Sequence, residues 1–215
     1  MTTKRAGAFC EFLSAQLPAP PARVLEVGCG RGELAHALAK RGFEVVAIDP
    51  NAPDGAMFRR VGLEDFSDPR GFDAVVASVS LHHVDDLASG VDKIASFLPR
   101  RGILALEEFA KERLAGATAR WYYHQRRALA EAGRDDNVPE DFDEWEQQSK
   151  AGHADIHPVS EIRVELERRF VERYFQWTPY LYSHRLDDAV EPLERKLIAE
   201  GGIDAVGLWY VGERL

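Results

Sequence analysis

The sequence predicts an α/β protein built on a doubly wound, mostly parallel β-sheet. Short apolar segments typical of buried strands alternate with longer segments whose apolar residues recur at helical spacing. The first of these strands, at residues 24–27, is followed by a glycine loop, a helical segment and a second apolar run at 45–48. Because a strand, a helix and a strand in succession close right-handed, the two strands are expected to be parallel neighbours.

Length, charge and cysteine content limit the classes of partner. A chain of 215 residues suits one domain with a substantial core, or such a core carrying an insertion. The formal net charge of −9 argues against nucleic acid or anionic membrane, because no basic surplus exists to displace counterions. Two cysteines do not make a disulfide framework, and neither a secretory leader nor a bilayer-spanning apolar run is evident. We therefore expect a cytoplasmic protein, either a monomer or a homodimer, with a small-molecule partner.

The loop after the first strand reads E-V-G-C-G-R-G over residues 26–32. Glycines there let a ligand approach the backbone closely, and Asp49, which ends the second strand, can accept hydrogen bonds from both hydroxyls of a ribose. A dinucleotide-binding loop has its third glycine where this chain has Glu33, and a carboxylate beside the first helical turn disfavours a pyrophosphate. The ligand is therefore expected to carry a ribose and positive charge without phosphate.

An acid, a G-x-G-x-G loop and a second acid ending the next strand together resemble the class I S-adenosylmethionine-dependent methyltransferases. A glycine loop needed only for a tight turn is the alternative. The resemblance covers the chain from about residue 22 to the end, apart from an insertion. It implies seven strands in the order 3-2-1-4-5-7-6 with the last one antiparallel. It also implies S-adenosyl-L-methionine as cofactor and S-adenosyl-L-homocysteine as product, and the cofactor's sulfonium and α-ammonium account for the acidic surroundings.

The resemblance assigns a set of residues to the cofactor. They are Glu26, Gly28, Gly30, Asp49, Pro50, Leu63, Glu64, Ser78 and Val79. Leu63 is expected to stack on the adenine, and Glu64 or a backbone amide to meet its exocyclic amine, although Glu64 can equally be a solvated loop acid. Ser78 and Val79 are expected to offer backbone groups to the methionine portion, because ligands bind beyond the carboxyl ends of parallel strands.

Two histidines and two glutamates follow the fourth and fifth strands. A histidine titrates near neutrality, so we expect one of His82 and His83 to take a proton from an acceptor hydroxyl and the other to support the loop. Glu108 is the preferred acid for orienting that histidine or facing the acceptor, since alternation along a strand puts it on the face of Leu106. Glu107 is the alternative, and either glutamate can instead form a salt bridge at the rim.

The other elements follow from periodicity and turn residues. Helices are predicted at 4–17, at 86–98, from a Ser160 cap to 169 and at 186–200, and strands at 58–61, 72–79, 103–106, 170–177 and 203–211. The first helix is expected to pack on the domain edge or to cover the cofactor. The domains are then an N-terminal helix at 1–21, a cofactor-binding core at 22–108, a helical cap at 109–157 and the rest of the core at 158–215.

The predicted cap at 109–157 is expected to select the substrate. Its aromatic run at 121–123 brings apolar area over the open end of the site, or packs the cap onto the core. His153 and His157 have the spacing of a metal pair, but the following Pro158 and the absence of a clear third ligand favour a structural role, and no metal is expected.

Four polar and aromatic residues follow the sixth strand. They are Tyr180, Tyr182, His184 and Arg185. We leave them out of the predicted site, because in the family this connection more often lies away from the pocket.

The resemblance predicts methyl transfer to a small natural-product-like or sugar-like molecule, preferably at a hydroxyl. A nitrogen or carbon acceptor is the nearest alternative, since a neutral amine needs no strong base. The alternative from another functional class is a relative that does not transfer a methyl group. Such a relative would be either a cyclase that uses the cofactor's positive charge or a catalytically idle partner subunit. The intact Gly28 loop and Asp49 count against the idle subunit.

Overall fold

The computed structural model describes residues 3–215, and a seven-stranded sheet forms its centre. The strands are β1 (Arg23–Val27), β2 (Glu44–Asp49), β3 (Phe58–Arg60), β4 (Ala74–Ser78), β5 (Ile103–Phe109), β6 (Phe170–Thr178) and β7 (Gly207–Arg214). They lie in the order β3-β2-β1-β4-β5-β7-β6, and β7 is antiparallel to both β5 and β6. The predicted fold class, strand order and direction are confirmed.

Helices cover both faces of the sheet. They are α1 (Thr3–Gln16), α2 (Glu33–Lys40), α3 (Leu87–Phe97), α4 (Gly116–Glu131), α5 (Phe142–Gly152), α6 (Val159–Glu167) and α7 (Glu191–Ala199). Apolar residues of α1 and α2 pack with the Val24 side of β1, and those of α3 and α6 pack with the Leu25 side. All residues of β1 are buried, as expected for a parallel strand covered on both faces.

Single-turn 3₁₀ helices follow β4, β5 and β6. The β4 turn (Leu81–His83) comes after β4, and the β6 turn (Leu181–Ser183) comes after β6. Because β7 is antiparallel to both β5 and β6, strand β6 runs in the same direction as β5. The β4 and β6 turns therefore lie at the same edge of the sheet, where the parallel strands have their carboxyl ends.

The segment between β5 and α6 contains α4 and α5, in agreement with a helical insertion after the fifth strand. Its aromatic residues Tyr122, Tyr123 and Trp145 are buried in one cluster with Phe109 and Leu181. Of the two roles expected for this aromatic area, packing the insertion onto the core is therefore the one these contacts support.

Several predicted boundaries were wrong. Strand β5 continues past residue 106 because Glu107 and Glu108 pair with Trp209 and Leu208 of β7, so both glutamates belong to the strand itself. Strand β7 begins at Gly207 rather than at residue 203, and its pairing with β5 extends to the register Ile103↔Glu213.

Two predicted helix boundaries also differ. Helix α6 begins at Val159 after Pro158, so Ser160 lies inside the helix rather than at its cap. The helix expected at 186–200 is divided into a 3₁₀ turn at Asp188–Val190 and α7, whose second residue is a proline. A proline fits the first turn of a helix, where its missing N–H leaves no bond unmade.

Among residues 3–215, no helix combines the length and apolar character needed to cross a membrane.

Candidate functional site

A cavity of about 560 Å³ opens at the carboxyl ends of β1, β2 and β4. Every residue that the resemblance assigns to the cofactor lines this cavity. His83 lines it as well, whereas His82 and Glu108 lie behind its wall. Arg5, Tyr180, Ser183 and His184, none of which was predicted, complete the opposite wall.

The glycine loop brings the backbone of β1 against the β4 turn. Gly28 has a φ of 73°, and a Cβ on it would lie 2.3 Å from the Cβ of Ser80. Gly30 also has a positive φ, of 52°, but a Cβ there would meet no atom within 4 Å. Gly28 is therefore required for packing, while Gly30 leaves open space for a ligand beside the backbone.

Asp49 is held at the end of β2 by two backbone amides. Gly30 N donates to its Oδ2 at 3.0 Å, and Asn51 N donates to its Oδ1 at 2.7 Å. A carboxylate has about four acceptor sites, so each oxygen retains one for a further donor. This geometry suits a carboxylate that receives the two hydroxyls of a ribose.

Glu26 places a carboxyl group in the floor of the cavity with one oxygen unsatisfied. The residue is 2% exposed, and its Oε2 has no hydrogen-bond partner in the part of the chain that the structure describes. Burial raises the pKa of Glu26 to about 8, and the carboxylates of Glu33 and Asp49 add to this effect. A buried unpaired acceptor is unfavourable, so a cationic ligand in the cavity would supply the missing partner.

The backbone is strained where β4 enters the cavity. Val79 has a φ of 54°, which is rare for a β-branched residue and costs about 1–3 kcal/mol. Val79 N donates to the Glu107 carbonyl at 2.6 Å, and Ser78 Oγ donates to Glu107 Oε2 at 2.8 Å. Backbone strain of this kind is found mostly at functional sites, and here the two hydrogen bonds to Glu107 of β5 hold the strained conformation.

Glu108 holds the β4 turn from behind. Its Oε1 accepts from the amides of Ser80 and Leu81 at 3.2 and 2.8 Å, and its Oε2 lies 2.5 Å from Nδ1 of His82. As alternation predicted, Glu108 shares a face with Leu106, and Glu107 contacts α1 on the other face. Of the two roles expected for Glu108, its position does not fit contact with an acceptor, and the histidine that it orients is His82 rather than the cavity-lining His83.

The two histidines occupy different environments. His82 is 3% exposed, and its carbonyl accepts from His157 N at 2.9 Å. His83 lines the cavity, with its ring centroid 4.2 Å from that of His82. Partial burial and the neighbouring His82 lower the pKa of His83, which keeps its imidazole neutral at pH 7.

Arg5 of α1 reaches the cavity through a buried charge network. Its Nε lies 3.0 Å from Glu107 Oε1, which also accepts from Trp209 Nε1 at 3.2 Å. Its guanidinium lies 4.3 Å from the ring centroid of Tyr180. Helix α1 thus packs on the domain through Phe9, as predicted, and contributes Arg5 to the cavity, while its covering of the cofactor stays a prediction.

The β6 turn forms the rest of the opposite wall. Leaving out Tyr180 and His184 was wrong, because both line the cavity together with Ser183. The predicted strand order already contained the signal, since it makes β6 parallel to β5 and brings its carboxyl end to the cavity edge. The sequence has no comparable signal for Arg5, whose position depends on how α1 packs.

The histidines of the insertion have structural contacts. His157 places Nε2 2.9 Å from the Val84 carbonyl and Nδ1 3.1 Å from Glu161 Oε2. The ring of His153 packs 5.2 Å from that of Phe109. These contacts agree with the structural role that the sequence favoured for the pair.

Comparisons with known proteins place part of the chain in a known family. A family described as "Methyltransferase domain" matches residues 1–169. A ubiquinone biosynthesis O-methyltransferase of Xanthomonas campestris is 34% identical over 125 residues, which cover 51% of this chain and 52% of that protein. The chain spans about half the length of the curated relatives that it matches.

Solved structures share the fold over nearly the whole chain. An S-adenosylmethionine-dependent methyltransferase of Mesorhizobium loti aligns with a TM-score of 0.62 and 18% identity, covering 99% of this chain and 100% of that one. The N-methyltransferase NodS of Bradyrhizobium japonicum, in complex with S-adenosyl-L-homocysteine, aligns with a TM-score of 0.57 and 13% identity, covering 98% and 86%.

Proposed function

Because the chain belongs to the methyltransferase domain family, we propose that it transfers a methyl group from S-adenosyl-L-methionine to a small-molecule acceptor. The observation that carries the proposal is the unsatisfied Oε2 of Glu26, buried in a cavity that is lined by every predicted cofactor residue. The α-ammonium of S-adenosyl-L-methionine is a charged hydrogen-bond donor and can supply the partner that this oxygen lacks.

The residues present fit this cofactor from end to end. Asp49 has free acceptor sites for the ribose hydroxyls, Leu63 and Glu64 line the adenine end, and Glu26 receives the α-ammonium. We add Arg5 to this set, because its buried guanidinium at the cavity wall can bind the carboxylate of the cofactor. When bound, the cofactor supplies an electrophilic methyl group on a positively charged sulfur.

The acceptor is proposed to react through a hydroxyl. His83 is the group on the cavity surface whose neutral imidazole can take the hydroxyl proton, while Glu108 and His82 hold the turn that carries it. The strained backbone at Val79 and the walls of the cavity would orient the acceptor and limit water, and positioning of this kind supplies much of the rate. The Xanthomonas relative, which is named as an O-methyltransferase, supports an oxygen acceptor.

A nitrogen or carbon acceptor is the second candidate. A neutral amine needs no general base, and the structural similarity to NodS, an N-methyltransferase, favours this class next. A cyclase or an idle partner subunit would bind the cofactor without forming S-adenosylhomocysteine in step with substrate loss. Measuring S-adenosylhomocysteine formation and substrate loss in the same reaction therefore separates a methyltransferase from a cyclase or an idle subunit.

The first test is calorimetric titration of the purified chain with S-adenosyl-L-homocysteine and S-adenosyl-L-methionine. We expect micromolar binding by the wild type and a loss of about 1.5–3 kcal/mol, or roughly 10- to 150-fold, in Asp49→Ala. Asp54→Ala is the matched control, since Asp54 is exposed and pairs only with the surface residue Arg60 among the contacts seen here. No binding by the wild type would overturn the proposed function.

A further inference from the structure

The β6 turn faces the part of the cavity that lies beyond the cofactor site. Asp49 ends β2, Gly28 follows β1 and Ser78 ends β4, and these strands are neighbours in the order β2-β1-β4. A ligand whose ribose lies at Asp49 and whose methionine portion lies at Ser78 therefore extends across the sheet towards β5. The turn after β6, which lies on that side, borders the space that remains for an acceptor.

A buried carboxylate from α7 fixes this turn. Glu194 is completely buried, and its Oε1 accepts from the amides of Tyr180 and Leu181 at 2.9 and 3.0 Å. Its Oε2 accepts from Tyr182 N at 2.8 Å. Burial raises the pKa of Glu194, and the three amides act in the opposite direction by stabilising the carboxylate. Without this carboxylate, three buried amides would lose their acceptor.

The groups that Glu194 holds are linked to one another inside the wall. Ser183 Oγ donates to the Tyr180 carbonyl at 2.9 Å, and the ring of His184 lies 5.7 Å from that of Tyr180 at an interplanar angle of 25°. The carbonyl of His184 accepts from Tyr122 Oη at 2.7 Å, which joins the turn to α4 of the insertion. A shift of the turn would move Tyr180, Ser183 and His184 together.

We infer that Glu194 is a positioning residue for the acceptor, because its carboxylate holds the β6 turn and hence the cavity wall formed by Tyr180, Ser183 and His184. The inference rests on the proposed function and extends it to a wall that the cofactor motif does not include. Glu194 itself does not line the cavity, so it acts through the turn. The same device occurs at the β4 turn, where Glu108 binds the amides of Ser80 and Leu81.

The experiment compares Glu194→Gln with Glu200→Gln, an identical substitution at an exposed residue beside the same helix. The first readout is the affinity for S-adenosyl-L-homocysteine, and the second is the pKa of His184 measured by NMR, assigned through His184→Gln. Burial, together with His153 and nearby arginines, lowers the pKa of His184 to about 4. We expect Glu194→Gln to raise this pKa towards about 6.5, as the released ring becomes solvated, while cofactor affinity changes less than about threefold.

An acceptor found by turnover screening gives the third readout. In Glu194→Gln we expect the KM for the acceptor to rise at least about tenfold while the KM for the cofactor stays the same. A folded Glu194→Gln variant in which His184 titrates as in the wild type would overturn the inference. A loss of cofactor affinity greater than about threefold, together with the change in the pKa of His184, would also overturn it. The substitution would then have loosened the whole cavity rather than the β6 turn.

Glu194→Asp is a second variant, used in case Glu194→Gln does not fold. Its shorter carboxylate retains the charge and reaches fewer of the amides, so an intermediate pKa of His184 is expected. If both variants fail to fold with saturating S-adenosyl-L-homocysteine present, Glu194 is a stability determinant and the inference is wrong. Absence of cofactor binding by the wild type would instead overturn the proposed function.

Discussion

The two walls of the cavity are built in different ways. The cofactor wall (Glu26, Gly28, Gly30, Asp49, Leu63 and Glu64) comes from a short stretch of chain in which strand ends and glycines set the geometry directly. The distal wall (His83, Tyr180, Ser183 and His184) is assembled from segments that are distant in sequence, and buried glutamates hold its turns. The first wall offers carboxylates, and the second offers two histidines, a tyrosine and a serine.

Under the proposed function, this difference separates two tasks. Recognition of the cofactor would then depend on backbone groups and acids whose positions follow from the βαβ unit. Recognition of the acceptor would depend on side chains brought in by turns, which can vary without disturbing the cofactor wall. The predictions below test this separation, beginning with the largest expected effect.

Replacement of His83 tests whether the distal wall carries the chemistry. With a hydroxyl acceptor, His83→Gln should lower kcat about 10²- to 10⁴-fold, because the group proposed to accept the proton is lost. Calorimetry should show S-adenosyl-L-homocysteine binding as in the wild type. If turnover survives in His83→Gln, the acceptor needs no base from this residue, and a nitrogen acceptor becomes the better interpretation.

Glu26→Gln should separate stability from cofactor binding. Burial raises the pKa of Glu26 to about 8, so the folded state holds a proton that the unfolded state releases near pH 4.5. The free energy of unfolding is therefore expected to fall as the pH rises from about 4.5 to about 8. Because glutamine has no such proton to release, Glu26→Gln should avoid roughly 3–5 kcal/mol of this loss above pH 8. Urea unfolding of both proteins at pH 4.5 and pH 9 measures the difference.

The same variant should bind S-adenosyl-L-homocysteine at least about tenfold more weakly, because the α-ammonium loses its carboxylate. Binding by the wild type should release protons below pH 8, which titrations in buffers of different ionisation enthalpy detect. Equal pH dependence of stability in the two proteins would contradict the environment described for Glu26.

A pair of glycine substitutions tests the cofactor wall without changing charge. Gly28→Ala should destabilise the fold by about 3 kcal/mol, since its Cβ would lie 2.3 Å from that of Ser80 in addition to the strain of a positive φ. Gly30→Ala should cost only about 1 kcal/mol of strain while weakening cofactor binding, because its Cβ enters open cavity space. Thermal unfolding and calorimetry together distinguish the two, and equal stability losses would show that the packing at Gly28 is not decisive.

Glu108→Gln tests the support of the β4 turn. Loss of the carboxylate should destabilise the protein by about 1–3 kcal/mol, because the amides of Ser80 and Leu81 and Nδ1 of His82 lose an ionised acceptor. Affinity for S-adenosyl-L-homocysteine should change by less than about threefold, as Glu108 does not line the cavity. A large loss of cofactor affinity would show that the two walls are coupled.

The sequence by itself determined the fold and the cofactor wall, because both depend on local patterns. The alternation of strands and helices predicted the fold class, and the resemblance carried by the glycine loop and the two acids implied the correct strand order. The residues that this resemblance assigned to the cofactor all line one cavity. Predicted strand boundaries were less accurate where pairing with a neighbouring strand decides them. Strand β5, for example, continues through Glu107 and Glu108 because it pairs with β7.

Only the tertiary structure decided the distal wall and the roles of the buried acids. Nothing local distinguishes Glu194 from Glu191, the other glutamate of α7, yet Glu194 is completely buried and accepts hydrogen bonds from three amides of the β6 turn. Arg5 likewise reaches the cavity only because α1 packs against the sheet. Side-chain function of this kind depends on which distant segments meet, and periodicity within one segment does not contain that information.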